Sequence, residues 1–213
     1  SAARMDNANF SGAVMTEAKL DQAAFRNANL TGVNLTQGSA QGTDFTGATF
    51  DGFIGKHANL SESNVSQVTL GSTDFEGANL TKANLSGQDL TKTNLSGANL
   101  HGANRKDSDL TKTNISNCNL SDADLRGAEL ADADLRNTNM SGAVLERTVL
   151  ARTLMTSSNL SGANLRAAEL TKTALEGVSL EGADLSGAKL NGGDLEKCNL
   201  TGANGGDVQA HWC

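Results

Sequence analysis

The sequence predicts a solenoid, a chain wound regularly around one leucine-filled core. Every fifth residue from Met5 to Leu200 falls on one column, and 26 of these 40 residues are Leu. Only Ala40, Gly55 and Arg105 lack a large apolar side chain there. Steps of five scatter around an α-helix, by about 140° each, and alternate between the faces of a straight strand. The chain must therefore turn by a similar angle every five residues.

The other positions of the repeat support this prediction. The residue two before the apolar position is small, and 21 of 41 such residues are Ala. Asn or Asp mostly precedes the apolar residue, and Gly recurs two residues after it, as at Gly12 and Gly182. Asn, Asp and Gly are turn formers. The repeat therefore predicts two inward sites, an outward polar site and a turn in each unit.

These units resemble a known family. Segments such as Ala78-Asn79-Leu80-Thr81-Lys82 and Ala183-Asp184-Leu185-Ser186-Gly187 are similar to the A(D/N)LXX motif of pentapeptide-repeat proteins. The resemblance covers residues 3–203. It implies an all-β fold, a right-handed quadrilateral β-helix with 20 residues per coil and about ten coils, roughly 48 Å long. We expect one such domain over residues 1–204, followed by a C-terminal tail, residues 205–213.

Composition and motifs exclude several function classes. The net charge of −7 argues against direct nucleic-acid binding, which needs clustered Lys and Arg. No apolar run is long enough to span a membrane. Catalytic triads, metal-ligand clusters and phosphate-binding loops are not evident, so we expect no enzyme activity, no metal and no cofactor. We expect a soluble protein, with the bacterial cytoplasm favoured over the thylakoid lumen, the periplasm or a secreted effector.

Cysteine placement follows from the repeat. Cys118 and Cys198 both fall on the small inward site, four coils and about 19 Å apart. A disulfide needs Cα atoms within about 7 Å, so both are predicted to be free thiols. Cys213 lies in the tail.

Residues 20 apart should stack into columns along the rod. One column consists of Asn59, Asn79, Asn99, Asn119, Asn139 and Asn159. A basic stripe comprises Lys92, Lys112 and Lys172, with Arg152 and Asp132 in the same column. The stripe is either an ordinary solvated face or a partner surface, and it weakly resembles an ice-binding array.

A candidate partner surface lies in the coil after an acidic ring. Val144, Val149 and Leu154 occupy the outward site normally held by Asn or Asp, with Arg147 and Arg152 beside them. Exposed apolar clusters can mark contact sites. Local substitution without function is the alternative. The acidic ring is opposed in sequence only by Arg126 and suits either solvent or a basic partner; it consists of Asp122, Asp124, Glu129, Asp132 and Asp134.

Two irregularities concern side-chain volume. Phe53 with Gly55 predicts a swap in which the large residue moves to the small site. Gly38 with Ala40 leaves both inward sites small, which predicts a local loop or a cavity.

Arg105 falls on an inward site, where an unpaired charge is very costly. We expect either a backbone bulge through 104–107 that frees the side chain, or pairing with Asp107 or Asp109. A functional hinge is a further alternative.

The leading functional prediction is a non-catalytic protein-interaction scaffold with an unknown partner. The family resemblance implies one alternative, a DNA-mimic rod that binds a DNA-processing enzyme such as gyrase. It implies another, a targeting or structural domain of a larger secreted effector or thylakoid-lumen protein. End-to-end self-association is also expected, because a solenoid end exposes an unpaired ladder. Val208 and Trp212 are predicted to cover the last coil.

Overall fold

The computed structural model describes residues 3–206, and within them the backbone forms neither α-helices nor multi-residue strands. Each pentapeptide instead contributes one bridge residue, which in nearly every case pairs in parallel with the residue 20 positions later, as in Asn9 with Asn29. The bridge step closes one coil every 20 residues, which divides this stretch into about ten coils. No helix capable of crossing a membrane is present among the described residues.

The bridge residues define four faces of the rod. Face I carries bridges at steps of 20 from Arg4 to Asn204, and face II carries them from Asn9 to Lys189. Face III runs from Val14 to Asp194, and face IV runs from Lys19 to Asn199. Faces I and III are opposite walls of the core, as are faces II and IV.

A left-handed backbone conformation forms most corners between faces. The residue two after the central one has φ near +60°, for example Gly12 at 70° and Lys112 at 59°. Glycine adopts this conformation without steric cost, which explains its recurrence there. Ladder hydrogen bonds continue through the corners, as from Gly12 N to Thr31 O at 2.8 Å.

Both predicted inward sites are buried. Central and small residues are buried along most of the rod, and the central side chains form one continuous core. Most hydroxyls and thiols at the small site donate to a backbone carbonyl, either of the preceding coil or three residues earlier in the same coil. Thr148 Oγ1 donates to Leu125 O at 2.8 Å, and Cys118 Sγ donates to Leu95 O at 2.9 Å. This bond explains why Thr and Cys replace Ala there.

Neighbouring side chains fill the space beside two glycines at inward sites, Gly38 and Gly55. A Cβ on Gly55 would lie 3.0 Å from the Phe53 ring and 2.9 Å from the Phe75 ring. A Cβ on Gly38 would lie 2.5 Å from Leu35 Cδ1. The expectation of a loop or cavity at Gly38 and Ala40 is therefore wrong. The ladder is regular there, and the Leu35 side chain takes the space.

Backbone hydrogen bonding between coils is irregular on faces II and III, although the five-residue repeat of the sequence continues there without a break. Gly71 instead of Ser72 adopts the positive φ, at 53°. Among the described residues, the repeat's bonds from Leu95 N to Asn114 O and from Asn114 N to Thr93 O are missing. The coil that contains Leu95 is therefore less tightly joined to the coil that contains Asn114 along face III.

Core side chains of the first and last described coils are only partly buried, because one neighbouring coil covers them. Met5 and Phe10 are half-buried, and Leu200 is 44% exposed. Val208, Trp212 and Cys213 of the predicted tail lie outside the described residues, so the predicted cover of the last coil stays a prediction.

Candidate interaction surfaces

Face IV carries a hydrogen-bonded column of asparagines. Asn79 Nδ2 donates to Asn59 Oδ1 at 3.1 Å, and Asn119 Nδ2 donates to Asn99 Oδ1 at the same distance. Each Oδ1 also accepts from the residue two positions later, as from Ser121 N at 3.2 Å and Ser121 Oγ at 2.8 Å. These bonds fix the outward side chains in one orientation. The full column is Asn59, Asn79, Asn99, Asn119, Asn139 and Asn159.

Face II carries two charged columns. The acidic column, on the centre of the face, consists of Asp89, Asp109, Glu129 and Glu169. The basic column, at the corner with face III, consists of Lys92, Lys112, Arg152 and Lys172. Between them lies a column of small residues, Thr91, Thr111, Ala131, Ala151 and Thr171. The sequence indicated the basic stripe but not the acidic column beside it.

The basic column is interrupted at one coil. Arg152 Nε and Nη2 donate to the two Asp132 oxygens at 2.7 and 2.8 Å. This pairing lowers the pKa of Asp132 below its ordinary value. Lys92, Lys112 and Lys172 form no salt bridge to any residue in the described part of the chain, and all three are exposed.

The structure spreads the predicted partner surface over three faces. Val144 is a bridge residue of face I, Val149 of face II and Leu154 of face III. Leu154 is 44% exposed, whereas Val144 and Val149 are half-buried. Only Val149 lies between Arg147 and Arg152, which occupy the two corners of face II. A five-residue spacing moves each residue to the next face, so the three apolar residues do not share one patch.

The acidic ring is paired more fully than the sequence predicts. Besides the pair of Arg126 with Asp124 at 2.5 Å, Arg136 binds Asp134 at 2.6 Å. These guanidinium groups lower the pKa of both carboxyls. The expectation that Arg126 alone opposes the ring is wrong. Partners come from the same pentapeptide or, as for Arg152 and Asp132, from the next coil.

Arg105 stays inside the core. Its side chain is 0% exposed, and Nε, Nη1 and Nη2 have no hydrogen-bond partner. Its backbone keeps the regular bond to Asp124 O at 2.8 Å. Asp109 instead accepts from Thr111 N, and Asp107 contacts Lys106. Both expectations, a backbone bulge and a carboxylate partner, are therefore wrong.

The surroundings of Arg105 explain its electrostatics. Burial lowers the pKa of Arg105 to about 10, and burial raises the pKa of the Cys118 thiol to about 11. The charged forms of Arg105 and Cys118 would attract each other. The Cys118 thiol donates to the carbonyl of Leu95, the residue whose own ladder bond to Asn114 is missing among the described residues.

The described residues offer little for catalysis or metal binding. They contain no group of three or more His, Cys, Asp or Glu side chains placed to hold a metal. A polar depression of about 480 Å³ is lined by His57, Glu76, Gly77, Ser96, Gly97 and Asn117. Cys118 and Cys198 are free, with Cys118 buried and Cys198 partly buried.

A quadrilateral β-helix that presents ordered side-chain columns defines a class of repeat proteins. The family model for pentapeptide repeats matches eight times, at residues 1–32, 28–52, 58–97, 78–117, 106–142, 133–171, 143–182 and 179–204. The chain belongs to the pentapeptide-repeat family. The predicted right-handed quadrilateral β-helix and the all-β fold class are confirmed.

Solved structures of this family resemble the chain to different degrees. HetL, from the cyanobacterium Nostoc sp. strain PCC 7120, is 30% identical with a TM-score of 0.70. The match covers 95% of this chain and 89% of HetL, which is described as involved in heterocyst differentiation regulation. No curated protein sequence matches the chain.

Two further structures share the family but are more distant. A trypsin-treated form of QnrB1, a plasmid-mediated fluoroquinolone resistance protein, is 16% identical with a TM-score of 0.40, covering 99% of this chain and 90% of QnrB1. Rfr23 from the cyanobacterium Cyanothece 51142 is 26% identical with a TM-score of 0.21, covering 62% of this chain and 64% of Rfr23. Neither likeness carries a functional argument.

Proposed function

We propose that this chain is a non-catalytic scaffold that binds a protein partner through face IV. The observation that carries the proposal is the asparagine column, whose side chains are held by bonds such as Asn119 Nδ2 to Asn99 Oδ1 at 3.1 Å. A surface already ordered before binding loses little conformational entropy when a partner docks. The residues beside the column are mostly Ser and Thr, with His101 next to Asn99 as the bulky exception.

The similarity to HetL supports a regulatory form of this role. HetL is a cyanobacterial protein involved in regulating differentiation, and the match covers nearly all of both chains. We extend the proposal to a regulatory binding protein of the bacterial cytoplasm. A targeting or structural domain within a secreted effector or a thylakoid-lumen protein is the alternative setting.

The DNA-mimic alternative finds less support. A mimic of duplex DNA needs carboxylates that are free to engage the basic groove of an enzyme. In the acidic ring, Asp124, Asp132 and Asp134 are each bound by an arginine, which leaves the acidic column of face II as the main set of carboxylates without a salt bridge in the described chain. Inhibition of DNA gyrase supercoiling by the purified chain would favour the mimic over the scaffold.

The scaffold proposal is tested by comparing two faces. A partner is first identified by cross-linking from face IV, and its affinity is then measured by calorimetry. Asn99→Lys with Asn139→Lys should weaken binding at least tenfold. Asn94→Lys with Asn114→Lys makes the same change on face III and should leave binding unchanged. The column accepts Lys, since Lys19 and Lys189 occupy equivalent positions. Equal binding by the face IV variant and the wild type would overturn the proposal.

A further inference from the structure

Face II is electrostatically self-complementary. Its acidic column and its basic column run side by side along five coils, about 19 Å, separated by the small-residue column. Each column carries four charges of its own sign, and the basic column also holds Asp132. A surface with equal and opposite stripes on either side of a central line matches its own copy when that copy is turned about the line.

We propose that face II binds a second copy of this chain, side by side and parallel, about a two-fold axis along the small-residue column. Rotation about this axis exchanges the two stripes, so each acidic column meets the basic column of the other copy. An axis perpendicular to the rod would instead place acid against acid. The small residues Thr91, Thr111 and Ala131 would meet their own counterparts on the axis, which permits close approach.

Three of the five coils pair an acid with a lysine, and at the coil of Arg152 the acidic column holds Val149 instead. Asp89 faces Lys92 of the second copy, Asp109 faces Lys112, and Glu169 faces Lys172. These three lysines form no salt bridge within the described chain, although Lys92 and Lys112 already attract Asp89 and Asp132 of their own chain at longer range. At the middle coil Glu129 faces Asp132, whose charge is offset by Arg152 at 2.7 Å.

Some contacts of this arrangement are unfavourable. Asp51 lies on the axis two coils before Thr91 and would meet its own copy. Its carboxylate already accepts from Ser72 N at 3.1 Å. Exposed ion pairs are individually weak, and salt screens them. The association should therefore be modest and strongly dependent on ionic strength.

Charge pattern favours a second copy over other partners. A nucleic acid or a uniformly acidic peptide would be attracted by Lys92 and Lys112 but repelled by Asp89 and Asp109. A basic peptide would meet the converse problem. A copy of the same chain satisfies both columns at once.

Charge exchange tests the proposal on the full chain by analytical ultracentrifugation in 50 mM and 500 mM NaCl. The acidic variant carries Lys92→Glu and Lys112→Glu, and the basic variant carries Asp89→Lys and Asp109→Lys. Glu17 and Glu62 occupy corners equivalent to Lys112, so Glu is compatible with that backbone. The control, Lys19→Glu with Lys82→Glu, makes the same charge change away from face II.

We expect the wild type and the control to dimerise at low salt and to dissociate at least tenfold more readily at high salt. Each face II variant alone should be monomeric, and an equimolar mixture of the two should dimerise again. A monomeric wild type at low salt, or no association of the mixed variants, would overturn the proposal. Association that changes neither with salt concentration nor with these substitutions would contradict the proposal and indicate end-to-end contact instead. If the basic variant fails to fold, loss of dimer in the folded acidic variant remains decisive.

The orientation is tested separately by cross-linking. Thr111→Cys lies on the proposed axis, so two copies should form a disulfide rapidly under mild oxidation. Ser141→Cys on face IV is the matched control and should cross-link slowly. Equal rates for the two variants would contradict the parallel arrangement.

Discussion

Arg105 shows how one residue can oppose the rest of its core. It stands in the column of Leu85 and Leu125, and its guanidinium has no hydrogen-bond partner among the described residues. Burial lowers its pKa to about 10, which corresponds to roughly 3 kcal/mol of unfavourable burial at neutral pH. On the facing wall, Leu95 and Asn114 lack their ladder bonds. We interpret the charge and the open ladder as parts of one weak point in the rod.

Arg105→Leu should therefore stabilise the protein by about 3 kcal/mol at pH 7, as measured by guanidinium unfolding. Hydrogen exchange at the Leu95 and Asn114 amides should slow as the ladder closes. Leu125→Arg is the matched control in the same column and should destabilise by several kcal/mol. A less stable Arg105→Leu variant would show that the charge has a favourable partner in solution.

The pH dependence has a definite sign. A basic group whose pKa is lowered by folding destabilises the folded state by its full amount at any pH below that lowered pKa. This destabilisation disappears as the pH rises toward the pKa of the group in the unfolded chain. The advantage of Arg105→Leu over the wild type should therefore be constant below about pH 10 and shrink as the pH rises above about 10 toward the ordinary pKa of arginine. A constant difference across that window would contradict burial of the charge.

At the scale of the repeating element, the outward column adds bonds between coils. Asn119 accepts from Asn139 at 3.2 Å and donates to Asn99 at 3.1 Å. Asn114 holds Ser116 within its own turn, and no side-chain bond joins it to another coil among the described residues. The two positions differ chiefly in this inter-coil bonding.

Asn119→Ala should cost about 1 kcal/mol more than Asn114→Ala, because it also removes amide bonds between coils. Urea unfolding of both variants measures the difference. Equal losses would mean that the amide column orders the surface without stabilising the stack.

Sequence periodicity predicts the inward and outward sites of the repeat well, but it predicts the hydrogen bonds between coils poorly. The period of five identified both inward sites and the outward column, since each repeats in every unit. It could not reveal the missing bonds at Leu95, because hydrogen bonding there depends on the shape of a neighbouring core. The sequence also indicates that burial of the Arg105 charge is costly. Whether so long a side chain reaches solvent depends on the packing around it, which the sequence does not show. The spread of Val144 and Leu154 over separate faces follows from the four-sided closure.

At the scale of the whole molecule, each coil contacts only its neighbours, so stability should be nearly additive along the rod. Removing residues 126–145 joins Leu125 to Glu146 and preserves every column. This variant should fold cooperatively and be shorter by about 4.8 Å in solution scattering. Removing residues 126–143 shifts the inward sites by two positions and should abolish cooperative unfolding. Similar melting of the two variants would contradict the register.

The left-handed corners have a consequence for how such a chain can change. A side chain other than glycine in this conformation costs on the order of 1 kcal/mol. Lys112, Arg152 and Lys172 all occupy such corners. Lys112 and Lys172 could each be exchanged for glycine with a gain in stability and a loss of charge, whereas Arg152 would also lose its ion pair with Asp132. The charged corner residues therefore provide surface charge at a cost in stability. A variant with glycine at every corner should be more stable but should lack these charged groups.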